Sequence, residues 1–184
     1  MRQRIDGRSV MLVLGTVAML HGAAIAQAPY AGMQTRAVKA LSDQDLADLK
    51  AGRGMGLALA AELNGYPGPS HVLENADALA LTAEQRDRTK ALFEAMKAEA
   101  VPVGAQLIEQ ETRLDQLFAA REITPAGLRA ATAEIGATQA RLRETHLKYH
   151  LTMMTVLTAE QIQKYQVLRG YGEKAAPQHH HRHN

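Results

Sequence analysis

The chain has 184 residues, of which 21 are lysine or arginine and 19 are aspartate or glutamate, and it contains no cysteine. The lack of cysteine excludes disulfide bonds, thiolate metal ligands and a cysteine nucleophile. Because residues 1–26 hold three arginines and one aspartate, the rest of the chain carries 18 basic and 18 acidic residues, a balance that argues against a nucleic-acid-binding protein.

Residues 1–26 have the composition of a secretory signal peptide. Three arginines among the first eight residues precede an apolar run over 10–20, and small residues follow. The run is too short to cross a bilayer, which takes about 20 residues, although a short membrane anchor is the alternative interpretation. Cleavage is expected after Ala26, because cleavage after Ala28 would place Pro29 beside the scissile bond. These features predict a periplasmic protein with no transmembrane anchor after processing.

The mature chain is predicted to be all-α. Alanine, leucine, glutamate, glutamine and arginine dominate it, which is typical of long helices. We expect a flexible leader over residues 27–41, a helical domain over residues 42–171, and a disordered, histidine-rich tail over residues 172–184.

The first part of the domain is predicted to contain two helices. Ser42 is a suitable N-cap for a helix over residues 43–63, in whose middle three glycines indicate a bend or a close helix contact. Residues 64–69 are rich in glycine and proline and should end that helix. Ser70 then caps a short helix over residues 71–80.

Two long helices and a final short one follow. The first long helix is predicted over residues 82–120, with a kink at Pro102. Thr124 caps the second long helix, and Pro125 takes its first position, where a missing N–H costs nothing. Apolar residues recur every three or four positions in both helices, and a last helix should cover residues 159–169. The expected fold is a long antiparallel helical hairpin with short flanking helices, four to five helices in all.

A pentapeptide recurs without change at the start of two predicted helices, at residues 81–85 and 157–161. In each copy the threonine and glutamine are spaced for a capping box, in which each side chain bonds the other's backbone N–H. In the second copy, Leu157 and Ile162 also occupy the positions of a hydrophobic staple. The motif residues are Leu81, Thr82, Gln85, Leu157, Thr158 and Gln161.

These paired L-T-x-x-Q motifs, in a small helical protein with an export signal, resemble the Spy/CpxP family of periplasmic proteins and its metal-linked relatives of the ZraP and CnrX type. The resemblance covers roughly residues 78–169 and leaves out the glycine-rich first helix and the tail. It implies helical hairpins that pair into curved homodimers. Within the family, some proteins bind unfolding clients without ATP, some restrain an envelope-stress sensor kinase, and some bind transition metals.

The second long helix carries candidate metal ligands. His146, His150 and Met154 are spaced four residues apart, so they project from one side of the helix. Imidazole and thioether groups suit zinc, copper, nickel or cobalt. CnrX-type sensors resemble this pattern, with His-x-x-x-Met on the same helix, but take further histidines from an early helix. Here only His71 and Glu74 are available for that role.

Two alternatives for the histidines stay open at this point. His146 lies close to the apolar stripe of its helix and is equally compatible with a packing role. The tail histidines at 179–181 and 183 suit loose metal binding or simple solvation of the terminus.

An enzyme is not expected. The sequence offers no recognisable set of nucleophile, base and acid, and its acidic residues are spread along predicted solvated helix faces. Interleaved charges and flexible methionines on the hairpin favour promiscuous binding. The sequence therefore predicts an ATP-independent chaperone for unfolded or misfolded envelope proteins, which requires no cofactor. The alternative is a periplasmic heavy-metal sensor or resistance protein, and the third is a structural partner in an envelope complex.

Overall fold

The computed structural model describes residues 29–172, and within them it contains six α-helices and no strand. The predicted all-α class is confirmed. The predicted signal peptide, residues 1–26, and residues 173–184 of the predicted tail lie outside the described residues. None of the helices in this range combines the length and apolarity that crossing a bilayer requires. The helices are α1 (Asp43–Ala51), α2 (Leu59–Glu62), α3 (Pro69–Glu74), α4 (Ala83–Ala119), α5 (Pro125–Met153) and α6 (Ala159–Leu168).

The leader has local structure in the part that is described. A single 3₁₀ turn covers Met33–Thr35. Val38 is buried and forms an isolated β-bridge with Leu41, which packs against the helical core. The leader therefore meets the domain before the first helix begins.

Helices α4 and α5 form the predicted antiparallel hairpin. Gln106 accepts a hydrogen bond from Arg141, and Glu99, which lies before Gln106 on α4, accepts one of 2.7 Å from the Tyr149 hydroxyl. Because earlier residues of α4 meet later residues of α5, the two helices run in opposite directions. Helix α4 continues through Pro102, and the expected kink there stays a prediction.

The predicted single helix over residues 43–63 is wrong, because the chain forms two helices there. Helix α1 starts as predicted, with Ser42 and Asp45 in a capping box. It ends at Ala51 because Gly52 adopts a left-handed conformation (φ 65°) and its N–H bonds the carbonyls of the last turn. Helix α2 begins only at Leu59, so the described chain has six helices rather than four or five.

Glycine allows α1 to approach α4 closely, as the sequence indicated for this region. A β-carbon on Gly104 would lie 2.6 Å from the carbonyl oxygen of Leu49. A β-carbon on Gly52 would lie 3.1 Å from Val101 Cγ2. The two helices meet in one of the two apolar clusters of the core. Its buried members are Leu49, Ala100, Leu107, Ile135 and Leu142.

The predicted helix over residues 71–80, capped by Ser70, is also wrong at both ends. Gly68 is the N-cap, and Pro69 takes the first helical position, for which its fixed φ is suited. Ser70 therefore lies inside α3, where its hydroxyl donates to Glu74 over 3.2 Å. The helix ends at Glu74, and turns lead from there to α4.

The repeated motif forms two complete capping boxes. The Thr82 hydroxyl accepts from the N–H of Gln85, whose side-chain oxygen accepts from the N–H of Thr82. Thr158 and Gln161 repeat the arrangement at the start of α6. The predicted staple partners both join the second apolar cluster, Leu157 as a buried member and Ile162 packed against it.

The two motifs are also bonded to each other. Gln85 Nε2 donates to Gln161 Oε1 over 2.8 Å, and Gln161 Nε2 donates back to Gln85 Oε1 over 3.0 Å. The remaining amide hydrogens reach the carbonyls of Val156 and Leu79, at 2.9 and 3.3 Å. Each amide thus makes all the hydrogen bonds it can, and the two helix starts form one joint.

A double-mutant cycle should reveal this joint. Thr158→Ala removes only a cap and should cost about 1 kcal/mol of unfolding free energy. Gln85→Ala and Gln161→Ala should each lower the unfolding free energy by more than Thr158→Ala does. The loss in the double variant should be smaller than the sum of the two single losses by about 1 kcal/mol, because either substitution alone already breaks the bonds between the amides. Urea unfolding of the two single variants and the double variant measures the coupling. Strictly additive losses would mean that the two amides do not depend on each other.

Candidate functional site

Most of the predicted metal ligands line one cavity. The cavity has a volume of about 630 Å³ and lies between the α1–α2 connection, the start of α3, and the helices α4 and α5. His71, Glu74, His146 and His150 line it. Met154 is the C-cap of α5 and is not among the lining residues. The structure therefore brings together four of the five predicted ligands.

Glu62 lies at the centre of this region and was not predicted. It is 5% exposed, and its Oε1 accepts hydrogen bonds from the Tyr165 hydroxyl at 2.6 Å and from Arg169 Nε at 3.1 Å. His71 Nδ1 lies 3.3 Å from the same oxygen. The other oxygen, Oε2, is buried and has no hydrogen-bond partner. The interpretation of the acidic residues as solvated is therefore wrong for Glu62.

Glu62 is a carboxylate at every ordinary pH. Burial on its own would raise the pKa of Glu62, but the hydrogen bonds from His71, Tyr165 and Arg169 outweigh it and hold that pKa at about 2. The unpaired Oε2 is therefore a negatively charged acceptor that faces protein rather than water.

His150 lies beside this oxygen, with its ring Nδ1 3.8 Å from Glu62 Oε2. His150 Nδ1 lies 2.7 Å from the carbonyl oxygen of Tyr66. A carbonyl only accepts, so Nδ1 carries the proton in the neutral ring and Nε2 carries the lone pair. A β-carbon on Gly68 would lie 2.9 Å from His150 Nε2 and 3.6 Å from Glu62 Oε2. The His150 ring therefore packs directly against Gly68, where any side chain would collide with it.

His146, one turn earlier on α5, is buried with an unpaired nitrogen. It is 2% exposed, and its Nε2 has no hydrogen-bond partner. Burial, and secondarily the nearby His150, lower the pKa of His146, so the ring is neutral. An unpaired buried polar atom costs roughly 1–3 kcal/mol, and a packing role for His146 does not account for that cost.

His71 and Glu74 are less directly placed. His71 Nε2 lies 3.4 Å from Arg169 Nη2, so both nitrogens of this ring have partners within the protein. Glu74 is exposed and accepts a hydrogen bond from Ser70. Across residues 29–172, no three His, Asp or Glu side chains converge closely enough to hold a metal ion. A complete coordination sphere therefore requires side-chain rotation or a donor of another kind.

The donors that are present fit a transition-metal ion. Glu62 Oε2 and His146 Nε2 are buried without partners, and His150 lines the same cavity as both residues. Carboxylate oxygen and imidazole nitrogen are ligands of zinc and of the neighbouring first-row dications. The sequence identified the histidines through their spacing. It offered no comparable indication for Glu62, which lies in a helix too short to show a period.

A family model described as heavy-metal resistance matches residues 54–164, more than half of the chain. The matched range includes Glu62, His71, His146 and His150, and it ends before Arg169. No curated protein and no solved structure shows significant similarity to the chain.

Proposed function

Because the chain belongs to the heavy-metal resistance family, which comprises the Spy-, CpxP- and ZraP-like LTxxQ proteins, we propose that it is a periplasmic, non-enzymatic protein that binds a transition-metal dication. The observation that carries the proposal is the buried Glu62 carboxylate, whose Oε2 has no hydrogen-bond partner and which lines the same cavity as the buried His150 imidazole. Zinc, nickel, cobalt and copper all accept this donor pair.

Both proposed ligands have the supporting hydrogen bonds that metal ligands usually have. A ligating histidine commonly donates its other N–H to a carbonyl, as His150 does to Tyr66. A ligating carboxylate is commonly held through its second oxygen, as Glu62 is by Tyr165 and Arg169. These bonds fix the two donors before an ion arrives, which lowers the cost of binding.

Further donors lie in the same cavity. His146 has a free nitrogen on the preceding turn of α5, and His71 already touches Glu62. The start of the sequence supports the periplasmic assignment through its basic, apolar and small-residue segments. In that compartment, binding serves either to sense the metal or to retain it.

Calorimetric titration of the mature chain, residues 27–184, with zinc, cobalt and nickel tests the proposal. We expect one tight site per chain and additional weak sites from the tail histidines. Truncation after Gly172 should remove only the weak sites. If all binding is weak and disappears with the tail, the protein has no metal site in the cavity.

A second candidate function, client binding, is favoured by exposed apolar side chains distributed along the hairpin. Phe118 is 52% exposed and Leu151 is 60% exposed, and Val101 and Leu128 are also exposed. Charged side chains lie between them, which fits an adaptable surface for unfolded chains. Methionine contributes less than the sequence indicated, because Met55 alone is exposed among the five methionines of the described chain.

If the protein protects clients, a Phe118→Ser, Leu151→Ser double variant should protect an aggregating protein severalfold less than the wild type, because it removes the two most exposed apolar side chains of the hairpin. Protection should require neither nucleotide nor metal, and it should survive truncation after Gly172. Light scattering of a heat-treated client measures it. Glu134→Ser, at an exposed position of α5, is the matched control. Equal protection by the double variant would exclude this surface as the client site.

A further inference from the structure

We infer that the same cavity holds a second, softer donor set for a monovalent copper or silver ion, formed by the thioether groups of Met55 and Met96 and the imidazole of His146. All three side chains line the cavity. The inference rests on the proposed metal-binding function and extends it to another class of metal ion.

His146 provides the fixed nitrogen of this set. Its side chain is almost completely buried, and its Nε2 lacks a partner. The ring packs under the α1–α2 connection, where a β-carbon on Gly54 would lie 3.7 Å from Nδ1. His150 and Glu62, in contrast, face Gly68, so the two donor sets adjoin different parts of the cavity wall.

The two methionines approach the cavity from different elements. Met96 lies on α4 and is 6% exposed, whereas Met55 lies between Gly54 and Gly56 and is 39% exposed. Met55 adopts a left-handed backbone conformation (φ 47°), which is unfavourable for a residue other than glycine. The fold maintains that conformation and places the Met55 side chain on the cavity wall. One sulfur donor is therefore buried, and the other lies where an ion enters from solvent.

The chemistry of these donors selects a soft ion. Thioether sulfur is a soft ligand that favours monovalent copper over the harder dication zinc. Among the described residues, His, Asp and Glu side chains alone do not form a group of three that could hold a metal ion. The two thioethers supply additional donors in this cavity.

Anaerobic titration of the full mature chain with cuprous ion, in competition with a chromophoric chelator, tests the inference. The wild type should bind one ion tightly enough to compete. A Met55→Leu, Met96→Leu double variant keeps the side-chain volumes, so it should stay folded. Its affinity for cuprous ion should fall at least about tenfold, while its zinc affinity stays within about twofold of the wild type. X-ray absorption at the copper edge should show sulfur ligands in the wild type and none in the variant.

Unchanged cuprous binding in the double variant, or a copper spectrum without sulfur, would overturn the inference. His150→Ala separates it from the proposed function, because that variant should lose zinc binding and keep cuprous binding. Zinc binding without cuprous binding in the wild type would reject the thioether site alone. Cuprous binding without zinc binding would reject the dication site and leave the thioether site standing.

Discussion

His150→Ala is expected to lower the affinity for zinc by about 100-fold or more. The substitution removes the imidazole that lies beside the unpaired Glu62 Oε2 and whose Nε2 carries the free lone pair. It also leaves the carboxylate as the only donor at that point, and a single carboxylate does not hold a transition metal tightly. Calorimetry on the full mature chain measures the loss, and urea unfolding of the metal-free variant checks that it folds.

Met154→Leu is the matched control for this prediction. Met154 lies four residues from His150, and the sequence pattern included it among the ligands, but it does not line the cavity. Its replacement should leave zinc affinity unchanged. If tight binding persists in His150→Ala and disappears when the tail is truncated, then His146 and His150 are packing residues and the tail is the metal-binding part.

Gly104→Ala is expected to destabilise the protein by about 2 kcal/mol. Alanine has the higher helix propensity by about 1 kcal/mol, so an isolated α4 would be stabilised. Here the added β-carbon would lie 2.6 Å from the carbonyl oxygen of Leu49, and a backbone atom cannot rotate away as a side chain can. Helix α1 must move from α4, which loosens the packing of Leu49 in the core. Urea unfolding at neutral pH measures the change.

Gly136→Ala, in the neighbouring helix α5, is expected to have the opposite effect on stability. Gly136 lies inside α5, and a β-carbon there would meet nothing within 4 Å. The substitution should stabilise the protein by roughly 0.5–1 kcal/mol through helix propensity alone. If Gly104→Ala is stabilising to the same degree, α1 does not approach α4 as closely as described.

The helix starts that the sequence predicted well depend on local chemistry. Ser42, Thr82, Thr124 and Thr158 cap helices as expected, because each bonds a backbone N–H only three residues away. The long helices were also predictable, because their apolar periodicity extends over ten or more residues and single exceptions do not obscure it. The predicted antiparallel pairing followed from the short turn between them.

Features that depend on contacts with residues distant in the sequence could not be predicted in this way. Gly52 was compatible with a bend within one helix, and its left-handed conformation ends the helix instead, where α1 meets α4. Ser70 is a good N-cap in general, but Pro69 fixes the start of α3 one residue earlier. The bond between Gln85 and Gln161 joins residues 76 positions apart, so each motif looked like an independent helix start.

The candidate site also contains some residues that local sequence patterns predict and others that they do not. Spacing on one helix identified His146 and His150, because both nitrogen donors belong to a single regular element. Met154 had the same spacing, but it is the C-cap residue of α5 and does not line the cavity. Glu62 was unpredictable, because its burial is created by Tyr165 and Arg169, more than 100 residues later in the chain.

This arrangement determines when the site comes into existence. Glu62 is translated early and His150 late, and the carboxylate is held by Tyr165 of α6 and by Arg169, the C-cap residue of that helix. A polypeptide that passes through a secretion channel in an extended state has none of these contacts until α6 docks. If the chain is exported in this way, as proposed, it would leave the cytoplasm without metal and bind its ion only in the periplasm. Its metal content would then report the metal supply of the compartment where folding is completed.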